Sequence, residues 1–141
     1  MQDAVRLQIE DFSVDAELAA LRAGSRRIGG IATFVGCARD FSEGRNVLRI
    51  DFDAYPAMAL AELQRLRSAA IEQFGLLDAR IVHRIGSVTA GDNIVLIVTG
   101  AEHRAPALNA CHWLIDELKQ CVPIWKKETT PEGESWVTPH P

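Results

Sequence analysis

Two stretches with the period of a helix, separated by two runs with the chemistry of strands, constrain this chain most. From Pro56 to Gly75, the residues Leu60, Leu63, Leu66, Ala70, Ile71 and Phe74 recur at three- and four-residue spacing. Proline suits a first helical turn and glycine a helix stop. From about 104 to 121, Ala107, Leu108, Cys111, Leu114, Ile115 and Leu118 repeat the pattern. Between them, 78–85 (DARIVHRI) and 93–99 (NIVLIVT) are rich in β-branched residues, and Gly91-Asp92-Asn93 is a hairpin signal. Upstream, Val5, Leu7 and Ile9 alternate with polar residues, predicting a strand over 4–10. Ser13 can cap a helix near 14–23 that Gly24 ends. Residues 29–35 (GGIATFV) predict a buried strand, 36–46 a loop, and 47–54 a returning strand. At the end, 123–137 reads as two short strands about Thr130-Pro131-Glu132-Gly133, whose proline and glycine fit a type I turn. Helices packed on a mostly antiparallel sheet make the fold class α+β.

A chain of 141 residues is one domain, 1–141, and folds on its own core without staples. Cys37, Cys111 and Cys121 are odd in number and widely spaced, without a CxxC. That argues against a disulfide framework and for a reducing, cytoplasmic setting. Zinc spacings, a Walker loop and GxGxxG are missing, so no metal or nucleotide cofactor is expected. No apolar run approaches about 18 residues, which argues against a membrane span. The start, MQDAVRLQIEDF, lacks the basic and apolar regions of a secretory signal. A net charge of −4 argues against a nucleic-acid binder.

Chemistry is expected where local rules are broken. The start of the second long helix carries His103-Arg104 where the helix dipole favours anions. Either Glu102 neutralises Arg104 on the surface, or an anionic ligand is held by free N–H groups and both basic side chains. Lys119 lies beside Ile115 at the border of the buried stripe. It either snorkels or is held by an apolar wall with a set direction. In Pro123-Ile124-Trp125-Lys126-Lys127-Glu128, strand alternation puts Lys126 with Glu128 and Lys127 on the other face. These lysines either guard an edge or, with Lys119 only seven residues back, form a two-ammonium pocket. Arg39 follows a buried strand on a Gly36-Cys37-Ala38-Arg39-Asp40 loop, where it either pairs with Asp40 or meets an anionic substrate. Cys37 has no base supplied by the sequence.

With those segments in hand, the chain resembles the catalytic, large-subunit family of molybdopterin synthase. The residues carrying the resemblance are Phe34-x-Gly36-x-x-Arg39, Tyr55-Pro56-x-Met58, Ile81-Val82-His83-Arg84-Ile85-Gly86, Gly91-Asp92 and Ala101-x-His103-Arg104. Leu118-Lys119, Pro123-Ile124-Trp125-Lys126-Lys127-Glu128, Thr130-Pro131-Glu132-Gly133 and Trp136-Val137 complete it, in order from about residue 30 to 137. The resemblance implies an α/β hammerhead fold with an additional small antiparallel β subdomain, placed within about 36–55 and 123–138. It implies a sulfurtransferase that converts cyclic pyranopterin monophosphate to the molybdopterin dithiolene, in molybdenum cofactor biosynthesis. Sulfur comes from the C-terminal thiocarboxylate of a small ubiquitin-like sulfur-carrier subunit, and the large subunit needs no cofactor. A homodimer, and a heterotetramer with two small subunits, are implied. By the same resemblance Lys119 and Lys126 are catalytic. Cys37, Ala38, Arg39, His103, Arg104, Lys127 and Glu128 bind substrate, with His103 and Arg104 open to being supplied by the neighbouring subunit. The competing reading is a non-catalytic module that binds a phosphate-bearing ligand.

Overall fold

Strand β8 (Asn93–Ala101) is buried on both faces, and the rest of the chain is layered about it. The structure is a computed structural model and describes residues 3–137. His140, in the C-terminal tail, and residue 138, at the end of the expected β subdomain, lie outside the described residues. In chain order the elements before β8 are β1 (Val5–Gln8), α1 (Val14–Ala23), β2 (Gly30–Cys37), β3 (Phe41–Ser42), β4 (Arg45–Asn46) and β5 (Arg49–Ala54), then α2 (Pro56–Phe74), β6 (Asp78–Arg84) and β7 (Gly86–Val88). After it come α3 (Arg104–Cys121), β9 (Ile124–Thr130) and β10 (Gly133–Trp136).

The first sheet has the order β1-β6-β8-β2, with β1 parallel to β6 and the other pairs antiparallel. Alternation along β6 and β8 splits their apolar residues between two cores. Ile81, Val95 and Ile97 meet Leu63 and Leu66 of α2 and Leu114 and Leu118 of α3. Val82, Leu96 and Val98 face the other way, onto Phe12 and Leu21 at α1. That explains why 93–99 is continuously apolar: both faces of the strand are covered. Helix α1 is also tied down by charge. Its buried Glu17 accepts hydrogen bonds from Arg6 at 2.8 and 3.2 Å and from Arg80 at 2.9 Å.

The second sheet, β10-β9-β5-β7, is antiparallel and has its own small core of Ala38, Val47, Ile50 and Val88. Here the structure departs from sequence expectation in two places. The predicted loop 36–46 contains the hairpin β3–β4, whose two-residue turn places Glu43 at φ 53° and Gly44 at φ 79°. Positive φ at both central residues is the type I′ geometry that matches strand twist. Strand β6 does pair with β8, but the link between them detours through β7, which pairs with β5 in the second sheet. Gly86, at φ 85°, makes the exit from one sheet to the other. The turn Thr130–Gly133 joins β9 to β10 as expected, with neither Pro131 nor Glu132 at positive φ. Gly24 ends α1 in a right-handed rather than left-handed conformation.

Candidate active site

Helix α3 ends at Cys121, Val122 turns the chain to an extended conformation, and β9 begins three residues later. Pro123 cannot continue the helix and so enforces the reversal. Lys119, in the last turn of α3, and Lys126, in β9, come into one electrostatic neighbourhood through this return. Burial lowers the proton affinity of the Lys126 amine below that of an ordinary lysine. The Glu128 carboxylate opposes that shift, the charges of Lys119 and Arg39 add to it, and Glu43 opposes it. Lys126 Nζ lies 4.0 Å from Glu128 Oε2, and Glu128 is only 2% exposed. Lys119 is exposed and lines a groove of about 470 Å³ between β2 and α3, with Phe34, Cys111 and Ile115 as its apolar wall.

Arg39 stands on an anchored post. A register shift between Gly36 and Cys37 releases β2 from β8. Ala38 is then fixed by donating its N–H to the Asp92 carbonyl and accepting from Gly91 N–H, both at 2.9 Å. Its methyl group is buried in the second sheet's core. Ala38 therefore offers a ligand neither a free N–H nor a side chain; it sets where Arg39 starts. Arg39 makes no ion pair with Asp40 among the described residues. It lines a second cavity of about 590 Å³ with Phe41 and Gly91. Cys37 is exposed, with Sγ 3.9 Å from Asn93 Oδ1, an amide oxygen that cannot serve as a base.

His103 is the N-cap of α3 and caps with no side-chain hydrogen bond, and Arg104 is its first residue. Both are exposed. Glu102 is paired with Arg27, not with Arg104, so the surface-neutralisation reading of Arg104 does not hold. The fifteen residues from Arg104 to Lys119 rise about 22 Å along α3 at 1.5 Å each. One chain thus separates His103 and Arg104 from the two lysines. Lys127 is also apart. It occupies the other face of β9, where it pairs with Glu134 at 3.2 Å and sits 5.7 Å from the ring centre of Trp136.

One participant was not singled out in the sequence. Arg45, on β4, places a guanidinium nitrogen 3.8 Å from Glu128 Oε1. Only the Glu-Gly turn before it hints at a hairpin, and the sequence does not say where that hairpin lands. Among the described residues no group of three or more His, Cys, Asp or Glu side chains is placed to hold a metal ion, and no helix is long and apolar enough to cross a membrane.

Lys119, Lys126 and Arg39 thus share one electrostatic neighbourhood, and Lys119 lines a largely apolar groove at its border. Comparison with known proteins shows the family. The family model described as MoaE protein matches residues 7–121. The molybdopterin synthase catalytic subunit of Pyrococcus abyssi is 43% identical over 128 residues, covering 91% of this chain and 85% of that one. The crystal structure of molybdopterin synthase from Staphylococcus aureus aligns with a TM-score of 0.89 at 28% identity, covering 98% of this chain and 99% of that one. The MoaE protein of Burkholderia ambifaria aligns with a TM-score of 0.85 at 39% identity, covering 99% and 92%. By this match and this identity, the chain belongs to the MoaE protein family, that of the catalytic subunits of molybdopterin synthase.

Proposed function

We infer that the chain is the sulfur-transferring subunit of a molybdopterin synthase, acting on cyclic pyranopterin monophosphate in the cytoplasm. A small ubiquitin-like carrier brings sulfur as a C-terminal thiocarboxylate. Each transfer replaces a carbon–oxygen bond of the pterin side chain with a carbon–sulfur bond, the displaced oxygen leaving as water or staying on the phosphate, and breaks the carrier's acyl–sulfur bond. Water supplies the oxygen that leaves the carrier as a carboxylate. Two transfers make the dithiolene. The observation that carries this reading is the Lys126 amine, held with depressed proton affinity beside a buried carboxylate and in the field of Lys119 and Arg39.

In this reading the groove along α3 admits the carrier's tail and Lys119 at its end orients the thiocarboxylate or exchanges protons at the reacting carbon. Lys126 stabilises the negative charge that develops there. Each charge-assisted hydrogen bond is worth about 1.5–3 kcal/mol. Arg39 meets the cyclic phosphate, and His103 and Arg104 join it from a second copy of the chain, since their own lysines lie a helix length away. Glu128 aims Lys126, while Cys37 and Lys127 flank the site, Lys127 from the far face of β9. Three cysteines without a disulfide support the cytoplasmic setting.

Reconstitution tests it: the chain is mixed with a thiocarboxylated carrier and the cyclic pterin, and dithiolene product is assayed. Product formation is expected; binding of both reactants without product would favour the phosphate-binding module instead.

A further inference from the structure

Glu128 is the most enclosed carboxylate near the site, and its partners are unusual. It is 2% exposed, and the side chains that approach its carboxylate do so as ion pairs longer than a hydrogen bond. Two cations flank it, at nearly equal distance and from different elements. Lys126 Nζ, on its own strand, lies 4.0 Å from Oε2. Arg45 Nη2, on the β3–β4 hairpin, lies 3.8 Å from Oε1. A buried carboxylate stays ionised only if cations compensate it. Here the compensation is divided between two, so neither cation has the carboxylate's whole attraction.

We propose that Arg45 is a positioning residue for Lys126, acting through the buried Glu128 carboxylate that both share. Arg45 draws the carboxylate toward the hairpin. Lys126 is thereby left loosely held, with its ammonium free to turn toward a reactant rather than locked in a tight ion pair. The charged groups facing Lys126 are Glu128 on its strand, Lys119 from α3, Arg39 from the loop after β2, and Glu43 and Arg45 from the hairpin. Of these, only Arg45 acts by competing for the carboxylate. This rests on the catalytic part assigned to Lys126 above, but its geometry can be tested without turnover.

The test is a titration of the Lys126 amine by NMR of the full chain with isotope-labelled lysine, the Lys126 signal being identified by its loss in Lys126→Arg. Arg45→Gln frees Glu128 to pair with Lys126 alone, so the midpoint should rise, by about half a pH unit or more for a contact of this length. Glu128→Gln removes the attraction, so the midpoint should fall. In the double variant Arg45→Gln/Glu128→Gln the midpoint should exceed that of Glu128→Gln by much less than Arg45→Gln exceeds native, because only the direct repulsion between Arg45 and Lys126 then remains. Arg45→Lys should restore most of the native midpoint. No rise in Arg45→Gln, or an equal rise without Glu128, overturns the proposal. Arg45 sits on an exposed hairpin, so its variants are expected to fold; if Glu128→Gln does not, Glu128→Asp, which draws the carboxylate back from both cations, takes its place. In the reconstituted reaction the same displacement should appear in the pH profile of kcat, with KM for the pterin little changed. A chain that never turns over would end the functional reading while leaving the titration result standing.

Discussion

In the proposed function Lys119 and Lys126 serve one site, and their surroundings suit them to different work. Lys119 is exposed at the end of an apolar groove, where it meets whatever enters. Lys126 is partly enclosed, with a buried carboxylate 4.0 Å behind it. An exposed lysine contributes little to affinity, at most about 1 kcal/mol, whereas a placed proton-transfer group supplies about 10²–10⁴-fold in rate. Lys119→Ala should therefore cut single-turnover product formation by about 10²–10⁴-fold and weaken carrier binding by less than about tenfold. Rapid-quench kinetics beside calorimetric titration separates the two, and an unchanged rate removes Lys119 from the chemistry. A different residue governs acid stability. His83 is 5% exposed, its Nδ1 is 2.6 Å from the Arg84 carbonyl, and its ring stands edge-on to Phe52 of the second sheet. A carbonyl only accepts, so Nδ1 carries the proton and the ring is neutral. Burial pushes its pKa down from 6.5 to about 4, against the opposing carbonyl bond. The unfolded chain binds this proton near pH 6.5 and the folded chain near 4. The unfolded state thus holds more protons between those values, and stability falls as pH drops through that window, by up to about 3 kcal/mol. Above pH 6.5 His83 contributes nothing to the slope. Urea denaturation from pH 7.5 to 4.5 should show a steeper loss for the native chain than for His83→Gln. Equal slopes would exclude it. Only below about 4.5 does Glu17 add to the loss; hydrogen bonds from Arg6 and Arg80 hold its carboxyl low despite burial.

Elements are positioned here by a few close backbone approaches, and the junction of β2 with α3 is the tightest. A Cβ at Gly29 would lie 2.2 Å from the Glu102 carbonyl oxygen, and one at Gly30 would lie 3.2 Å from Arg104 Cα. The start of β2 therefore fixes where α3 begins and how His103 and Arg104 are presented. Gly29→Ala must push residues 102–104 away or peel β2 from β8, at a cost of about 1–3 kcal/mol. Calorimetry should find that loss, and the activity should fall further than the stability loss explains, because Arg104 moves while Lys119 and Lys126 do not. A variant of native stability would show that the backbone there yields freely. The same elements show what was legible in the sequence. Helices α2 and α3 were, because their periodic apolar faces, Pro56 and Gly75 are local signals; Gly75 takes the left-handed φ of 65° that a glycine stop requires. The return from α3 into β9 was legible too, so Lys119 and Lys126 could be paired from seven residues of separation. The hairpin β3–β4 and strand β7 were not, because strands of two or three residues have no period to read and exist through their partners. Arg45 was missed for the same reason: its meeting with Glu128 depends on where that hairpin folds. Lys127 was legible only as to face, since alternation alone separates it from Lys126.

At the scale of the whole molecule, the single chain holds His103 and Arg104 about a helix length from its lysines and leaves one sheet edge unprotected. The two edges of the first sheet differ. Strand β1 (VRLQ) carries Arg6 and a polar residue, the usual guards of an open edge. Strand β2 (GIATFVGC) carries no charge, and Phe34 and Leu108 remain 36% and 58% exposed beside it. An uncharged edge bordered by exposed apolar side chains is a surface that natural proteins cover. We propose that a second copy covers this edge and supplies its His103 and Arg104 to the first copy's site. The arrangement can be tested by mixing two inactive chains. If each site takes its lysines from one copy and Arg104 from the other, a dimer of a Lys119→Ala chain with an Arg104→Ala chain contains one site with both defects and one with neither. Random assortment makes half the dimers mixed, so an equimolar co-refolded mixture should recover about one quarter of native activity, although each variant alone is nearly inactive. If both sets of residues act within one chain, every site in the mixture carries a defect and no activity returns. Size-exclusion chromatography with light scattering on the same mixture distinguishes that result from a failure to dimerise.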